Sequence, residues 1–235
     1  MKLKKTFFAW LFSFLLLPVG AAAQRLNPKL KSKDHAVRRV VVLPAKVSLV
    51  RSGIKGAEPM EKEAAEMTPI LEQVVAKAFE KKNFLVADGA LSPPAVQSDE
   101  KLKYALADVQ RNFDDLQKKI VRKQKDIEKG RFTLGDQVLL LNQDDQADAF
   151  VFVRAVGQQT TKGKVAFSVL VLNPLYAIPV CQVWVTVVDA RSGEVLAQSL
   201  ALTTGNVVKD TDKALGKRLE ASLKKIPSPP AARGE

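Results

Sequence analysis

The sequence has one cysteine and one histidine in 235 residues, and it lacks a glycine-rich phosphate loop. Each shortage excludes something. A single thiol, Cys181, cannot close an internal disulfide, so stability must rest on an apolar core, and an apolar fraction of 46% at this length can build one. Cys181 sits just before a strand-like run and reads as a buried, inert thiol. A zinc site needs several His and Cys ligands, and a serine or cysteine hydrolase needs a positioned base. His35 lies in a polar, lysine-rich stretch and reads as a solvated bystander. Between the first strand-like run and the first helix the chain reads Pro44-Ala45-Lys46-Val47, which cradles no phosphate. No cofactor and no metal are expected, and no catalytic residue is assigned.

What is there begins with the compartment. Lys2, Lys4 and Lys5 precede an apolar run, Phe7 to Leu17, followed by Pro18, Gly20 and Ala21-Ala22-Ala23. Positive, apolar and small-residue regions in that order predict a secretory signal peptide over 1–23, cleaved near Ala23–Gln24, and the apolar part is too short to span a bilayer. No cysteine lies near that junction, so the expectation is a periplasmic or secreted protein with no lipid anchor. The whole chain carries a net charge of +12, and losing three lysines leaves 34 basic residues against 25 acids, about +9. Outside the cytoplasm the anionic partners to expect are lipid head groups or envelope polymers, with no nucleic acid.

Hydrophobic patterning then predicts one α/β domain over 37–225, after a flexible lead-in at 24–36 and before a disordered tail at 226–235. Val40 to Leu43, stopped by Pro44, reads as a buried strand, and Lys46 to Pro59 as a loop with one short extended piece at Val47 to Val50. Glu61 to Lys82 is helical: Met67, Leu71, Val74, Val75, Ala78 and Phe79 form one stripe, acids lead and lysines end it, and Pro69 either kinks it or marks where its regular part begins. Asn83 ends this helix and Phe84 to Ala87 follows as a strand, which completes a βαβ unit. The longest predicted helix runs from about Asp99 to Lys129, ended by Gly130. Its apolar residues Leu102, Leu106, Val109, Phe113, Leu116, Ile120 and Ile127 follow a coiled-coil-type spacing, with Lys123 at the missing step. A short helix over Thr133 to Gln143, with Asp136 as its cap, comes next. The cluster Asp144, Asp145 and Asp148 lacks the spacing of a calcium loop and reads as a turn.

Phe150 to Ala155 and Val165 to Leu172 read as strands joined by a turn at Gly157 to Gly163. Leu175 to Val180 either covers the core or forms an apolar docking surface. Val183 to Val188 and Val195 to Leu200 flank Asp189-Ala190-Arg191-Ser192-Gly193-Glu194, the pattern of an antiparallel hairpin with Gly193 in the left-handed position. Pairing Asp189 with Glu194 sets Val187 opposite Leu196, Val185 opposite Gln198 and Val183 opposite Leu200, with Val183, Val185, Val187, Leu196 and Leu200 on one face. A final helix over about Asp210 to Lys225 repeats leucine at 215, 219 and 223. The fold class is α/β with α+β character: a mixed sheet of five to six strands flanked by helices, parallel at first and antiparallel at the end.

Val40-Val41-Val42-Leu43-Pro44, Phe84-Leu85-Val86, Ala147-Asp148-Ala149 and Val187-Val188-Asp189-Ala190-Arg191-Ser192-Gly193-Glu194-Val195-Leu196 resemble one exported domain class. It is similar to the amino-terminal α/β domain of the Tol–Pal translocation protein and to curli-secretion-type envelope lipoproteins. The resemblance implies a non-enzymatic accessory role in the cell envelope, through protein contacts and in oligomers. On this reading the second half of the long helix either packs on the domain or projects to meet an envelope partner or a second copy. The residues assigned to that contact are Leu116, Lys118, Lys119, Ile120, Arg122, Lys123 and Ile127. The alternative is a binding module for an anionic envelope polymer or lipid, using the basic residues of the same stretch. An envelope hydrolase is the third reading, and it needs a pocket with two carboxylates at catalytic separation.

Overall fold

Long β-branched stretches make the centre of the molecule. In a computed structural model that describes residues 24–32, 36–54, 56–87, 96, 98–142, 146–161, 165, 179–204 and 215–229, eight strands form one mixed sheet. In chain order they are β1 (Gln24–Leu26), β2 (Arg39–Val42), β3 (Lys46–Gly53), β4 (Gly56–Pro59), β5 (Leu85–Val86), β6 (Ala149–Thr160), β7 (Val180–Asp189) and β8 (Val195–Thr204). The helices are α1 (Glu61–Glu80), α2 (Glu100–Arg122) and α3 (Gly216–Leu223). The sheet runs β1-β8-β7-β6-β2-β5, with β3 also on β6 and β4 on β3. β2 pairs in parallel with β5 and β6, β3 pairs in parallel with β6, and the β6-β7-β8 ladders are antiparallel. The expected parallel start and antiparallel end are both present.

Two apolar layers cover the sheet. On one face Leu71, Val75 and Phe79 of α1 and Leu215, Leu219 and Leu223 beside and within α3 pack on Val151, Val153, Val183, Val185 and Val187. Phe79 meets Phe84 edge-on at 5.3 Å between ring centroids. On the other face α2 buries Leu106, Val109, Phe113, Leu116 and Ile120 against Phe150, Phe152 and Val188. Asp99 caps α2 by accepting the N–H of Leu102 at 3.1 Å. Asn83, the one non-glycine residue with positive φ among those described (64°), turns the chain out of α1 and into β5.

Several expectations are corrected. The lead-in expected to be flexible is tied down over its described first part: Gln24–Leu26 pairs with β8, Leu30 is buried, and Asn27 donates its side-chain amide to Val195 O and Glu194. A lysine-rich stretch hid three residues whose backbone completes an edge. At the other end Ile226, placed in the tail, is buried in the first core. The stretch 46–59 is a hairpin of β3 and β4, not a loop. β6 continues through the expected turn at Gly157 as far as Thr160, held on both sides by β3 and β7. The short helix expected over Thr133 to Gln143 is a 3-10 helix at Gly135–Leu141, and no side-chain cap from Asp136 starts it.

The hairpin register changes partway. Asp189 and Glu194 face each other as expected, with Asp189 N donating to Glu194 O, and Gly193 has φ 69°. A bulge at Leu196 then shifts the ladder, so that Val187 faces Ala197, Val185 faces Ser199 and Val183 faces Ala201. Leu200 lies opposite Trp184 and on the other face from Val183, and Leu196 still reaches the first core because it is the extra residue. The expected strand at Val165 to Leu172 lies, beyond Val165 itself, outside the described residues. So do residues 1–23, His35, Asp144, Asp145 and the stretch 175–178.

The long helix also departs from expectation. α2 stops at Arg122, Lys123 takes φ −133° and ψ 46°, and a 3-10 turn over Gln124–Lys129 follows before Gly130 at φ 63°. A lysine at a core-facing step cannot be buried there at neutral charge cost, so the chain leaves the helix at that residue. The turn brings Ile127 back into the core, beside β1 and β8.

Candidate functional site

Leu116, Ile120 and Ile127 are 8%, 0% and 0% exposed and belong to the second core. The apolar seam is therefore used inside the molecule, against the sheet. Of the two arrangements left open for this stretch, packing on the domain is the one these three residues adopt. Lys118, Lys119, Arg122 and Lys123 are exposed on the outer side of the same stretch. Lys118 pairs with Asp115 at 2.8 Å, and no acid among the described residues pairs with Lys119, Arg122 or Lys123. The seven assigned residues thus divide into three that hold the fold and four that form a basic outer face.

A second place on the molecule gathers more varied groups. Beside β3 lies a groove of about 640 Å³. The edge of the sheet at Ala45 to Leu49 forms its floor, Ala64, Ala65 and Thr68 of α1 form one wall, and Asp114 of α2 and Arg154 lie on the other side. The strand turns there for a countable reason. Val42 faces Val151 and Lys46 faces Arg154, four steps on one strand against three on the other. The extra residue is a bulge spanning Leu43-Pro44-Ala45, where proline interrupts the ladder. Two side chains secure it: Gln110 Nε2 donates to Pro44 O at 3.1 Å, and Glu72 Oε1 accepts from Ala45 N at 2.8 Å.

Arg154 is the polar centre of this region. It interrupts the apolar strand Phe150 to Val156 and is 8% exposed. Its Nε donates to Asp114 Oδ1 at 2.6 Å, Nη1 to Val153 O at 3.1 Å, and Nη2 to Gln110 Oε1. Its guanidinium carbon stands 4.8 Å from the Phe113 ring centroid, and Phe113 stacks on Phe152 at 4.1 Å. Asp114 Oδ2 also takes a hydrogen bond from Lys46 Nζ at 2.6 Å. Burial pushes the Asp114 carboxyl up, but Lys46 and Arg154 together outweigh burial and hold it below the usual carboxylate range. Burial also lowers Arg154, with Asp114 acting against that shift. Half-buried Glu72 goes the other way: desolvation raises it and the Ala45 N–H only partly offsets the rise.

Sequence reasoning missed this cluster. The available signal was Arg154 itself, because a charge inside a buried strand must find a carboxylate and hydrogen-bond acceptors. Cys181 is buried as expected, and burial pushes its thiol up to about 11. Asp148 accepts the backbone N–H groups of Arg38 and Arg39 at 2.9 and 2.8 Å, which makes it a strand-entry ligand of the backbone. Among the described residues no group of three His, Cys, Asp or Glu side chains is placed to hold a metal, and no helix is long and apolar enough to cross a membrane.

No protein-family model matches the chain, and no curated protein matches it. Among solved structures, the PelC dodecamer from Paraburkholderia phytofirmans is similar at 10% identity, over 90% of this chain and 99% of that one, with a TM-score of 0.40. Lipoprotein GNA1162 from Neisseria meningitidis is similar at 14% identity, over 80% of this chain and 95% of that one, with a TM-score of 0.37. The LpoB C-terminal domain from Salmonella enterica is similar at 12% identity, over 75% and 90%, with a TM-score of 0.28. Likeness of this degree is one of general arrangement, and no residue role is carried across.

Proposed function

We propose that this chain is a non-enzymatic accessory or scaffold protein of the bacterial cell envelope, exported to the periplasm and acting through contacts with another protein or with its own copies. The observation that carries the reading is the condition of the charged groups beside the groove. Arg154 is spent on Asp114, Gln110, Val153 and Phe113, and Asp114 is shared between Arg154 and Lys46. A general acid or base has to be within reach of substrate and free to change protonation near the working pH, whereas Asp114 is held ionised by two cations. The region offers shape and backbone instead of a poised reactive group. The signal-type start, the +12 charge and the short motifs shared with exported envelope domains support the same reading. Photo-crosslinking from surface positions of the full chain in intact cells tests it. A discrete adduct with an envelope protein is expected. A chain that stays monomeric at every concentration and yields no adduct would overturn the reading.

A second reading follows from the basic outer face of α2. Lys118, Lys119, Arg122 and Lys123 are exposed together on a strongly basic chain, as attachment to an anionic polymer or lipid surface requires. Co-sedimentation with vesicles containing one-third phosphatidylglycerol should fall steeply as salt rises. It should be lost in the triple variant Lys119→Glu, Arg122→Glu, Lys123→Glu. Binding unchanged by the variant would remove this reading.

A further inference from the structure

We infer that the groove beside β3 is a slot for an extended, uncharged segment of a partner protein, taken up by strand addition. This deepens the accessory reading and rests on it. The argument starts from where the backbone of β3 points. Ala45 N is bonded to Glu72 and Leu49 O accepts from Met60 N, so residues 45 and 49 face away from β6. Ser52 O accepts from Thr161 N, so the even-numbered residues face β6. A strand alternates its main-chain directions residue by residue, so Val47 faces outwards with 45 and 49. Among the described residues, the outward groups left over are the carbonyl of Ala45, both polar groups of Val47 and the N–H of Leu49. β4 takes up the edge only from Val50 onward, and β5 reaches only Val40. Four alternating donors and acceptors over five residues are the specification of one more strand.

The walls fit the same occupant. An added strand would lie between α1 and α2, with its side chains alternating between the two. Those turned to α1 meet Ala64 and Thr68, small residues that leave room for apolar side chains of moderate size. Those turned the other way meet the Lys46–Asp114 pair, which accepts uncharged polar groups. Lys46 and Arg154 are balanced by Asp114 and Glu61 along the lining, so the slot carries no excess of either sign on a chain that is otherwise strongly basic. That balance disfavours anionic polymers and charged peptides alike. A second copy is a poorer occupant, because each described strand of this chain already belongs to its own sheet.

The test uses the full-length protein and a phage-displayed library of random ten-residue peptides. Selection should enrich sequences that alternate apolar with uncharged polar residues and lack internal proline. Val47→Pro deletes an outward N–H without touching the β3–β6 ladder, and Ala65→Arg fills the α1 wall from an exposed helical position. Each should weaken the selected peptides at least tenfold, while Lys103→Glu, at an exposed position of α2 away from the groove, leaves them unchanged. Hydrogen exchange supplies a readout independent of folding defects: Val47 and Leu49 amides should exchange fast in the free protein and slow on adding peptide. Enriched peptides that bind Val47→Pro as well as wild type, or amides of Val47 and Leu49 already protected in the free chain, would overturn the slot. So would failure to enrich any sequence. Envelope adducts formed from other faces would in that case leave the accessory reading standing, which separates the two failures.

Discussion

Arg154 lays its guanidinium over the ring of Phe113, with 4.8 Å from guanidinium carbon to centroid, and so puts a permanent charge between an aromatic stack and a single carboxylate, Asp114. The arrangement tells which partner can be removed safely. Asp114→Ala strands a buried cation and should cost about 2–3 kcal/mol, discounted from a fully buried pair because Asp114 is one-third exposed. Adding Arg154→Met should recover part of that loss, since the uncompensated charge goes with it. Urea unfolding of the wild type and the two variants measures both. A neutral Asp114→Ala would show that Gln110 and Phe113 suffice to hold the charge.

Acid should weaken the fold through the same residue. Asp114 titrates below its unfolded value, so its stabilising share is full above the ordinary carboxylate range and is lost as pH falls through the lower folded value. Glu72 has the opposite sign: its folded carboxyl is raised, so stability declines as pH climbs from the ordinary value through the raised one. Glu72→Gln keeps an acceptor for Ala45 N and should raise Tm at pH 7 while flattening that decline. Thermal melts between pH 3 and 8 decide it, and an unchanged slope would count against the burial argument.

Gly193 is fixed twice over. Its φ of 69° favours glycine, and a Cβ there would stand 2.4 Å from Gly135 O and 2.8 Å from Gly135 N, because the hairpin tip abuts the turn at 135. Gly193→Ala should cost at least about 1–2 kcal/mol from handedness alone. Asparagine tolerates the left-handed region, so Gly193→Asn separates the causes. Equal loss in both variants, measured by denaturant midpoint, is the expected result, since the close approach penalises any side chain.

The buried seam of α2 makes a fourth expectation. Ile120→Ala should destabilise by about 2–5 kcal/mol, whereas Val121→Ala, next to it and 44% exposed, should stay within about 0.5 kcal/mol. The molar mass of the folded fraction by light scattering should be the same in both. A change in assembly with stability intact would return Ile120 to a partner interface.

Much of the architecture could be read from residue types because burial periodicity was strong. The α1 stripe from Met67 to Phe79 and the valine runs of β7 announce themselves, and Asp189 with Gly193 marks the turn. What stayed hidden was decided by main-chain geometry. The extra residue at Leu196 and the bulge around Pro44 leave no trace in hydropathy, yet each reverses which side chains face which layer. The site was less legible than the fold for a related reason. A spacing of three and four residues marks Leu116, Ile120 and Ile127 as one apolar line, but says nothing about whether a sheet or a stranger covers it. Unpaired edge groups at Val47 belong to the backbone and have no residue-type signature at all.

β1 carries a consequence for how the molecule is made. Gln24–Leu26 pairs with Ala197 to Ser199, and Gln24 Oε1 accepts the N–H of Lys225, 201 positions later. β1 therefore has no partner strand until the chain has been made as far as Ser199, and Gln24 cannot meet Lys225 until the segment near the end of the sequence follows. Until that seam closes, β8 presents an unguarded border to proteases and to neighbouring nascent chains.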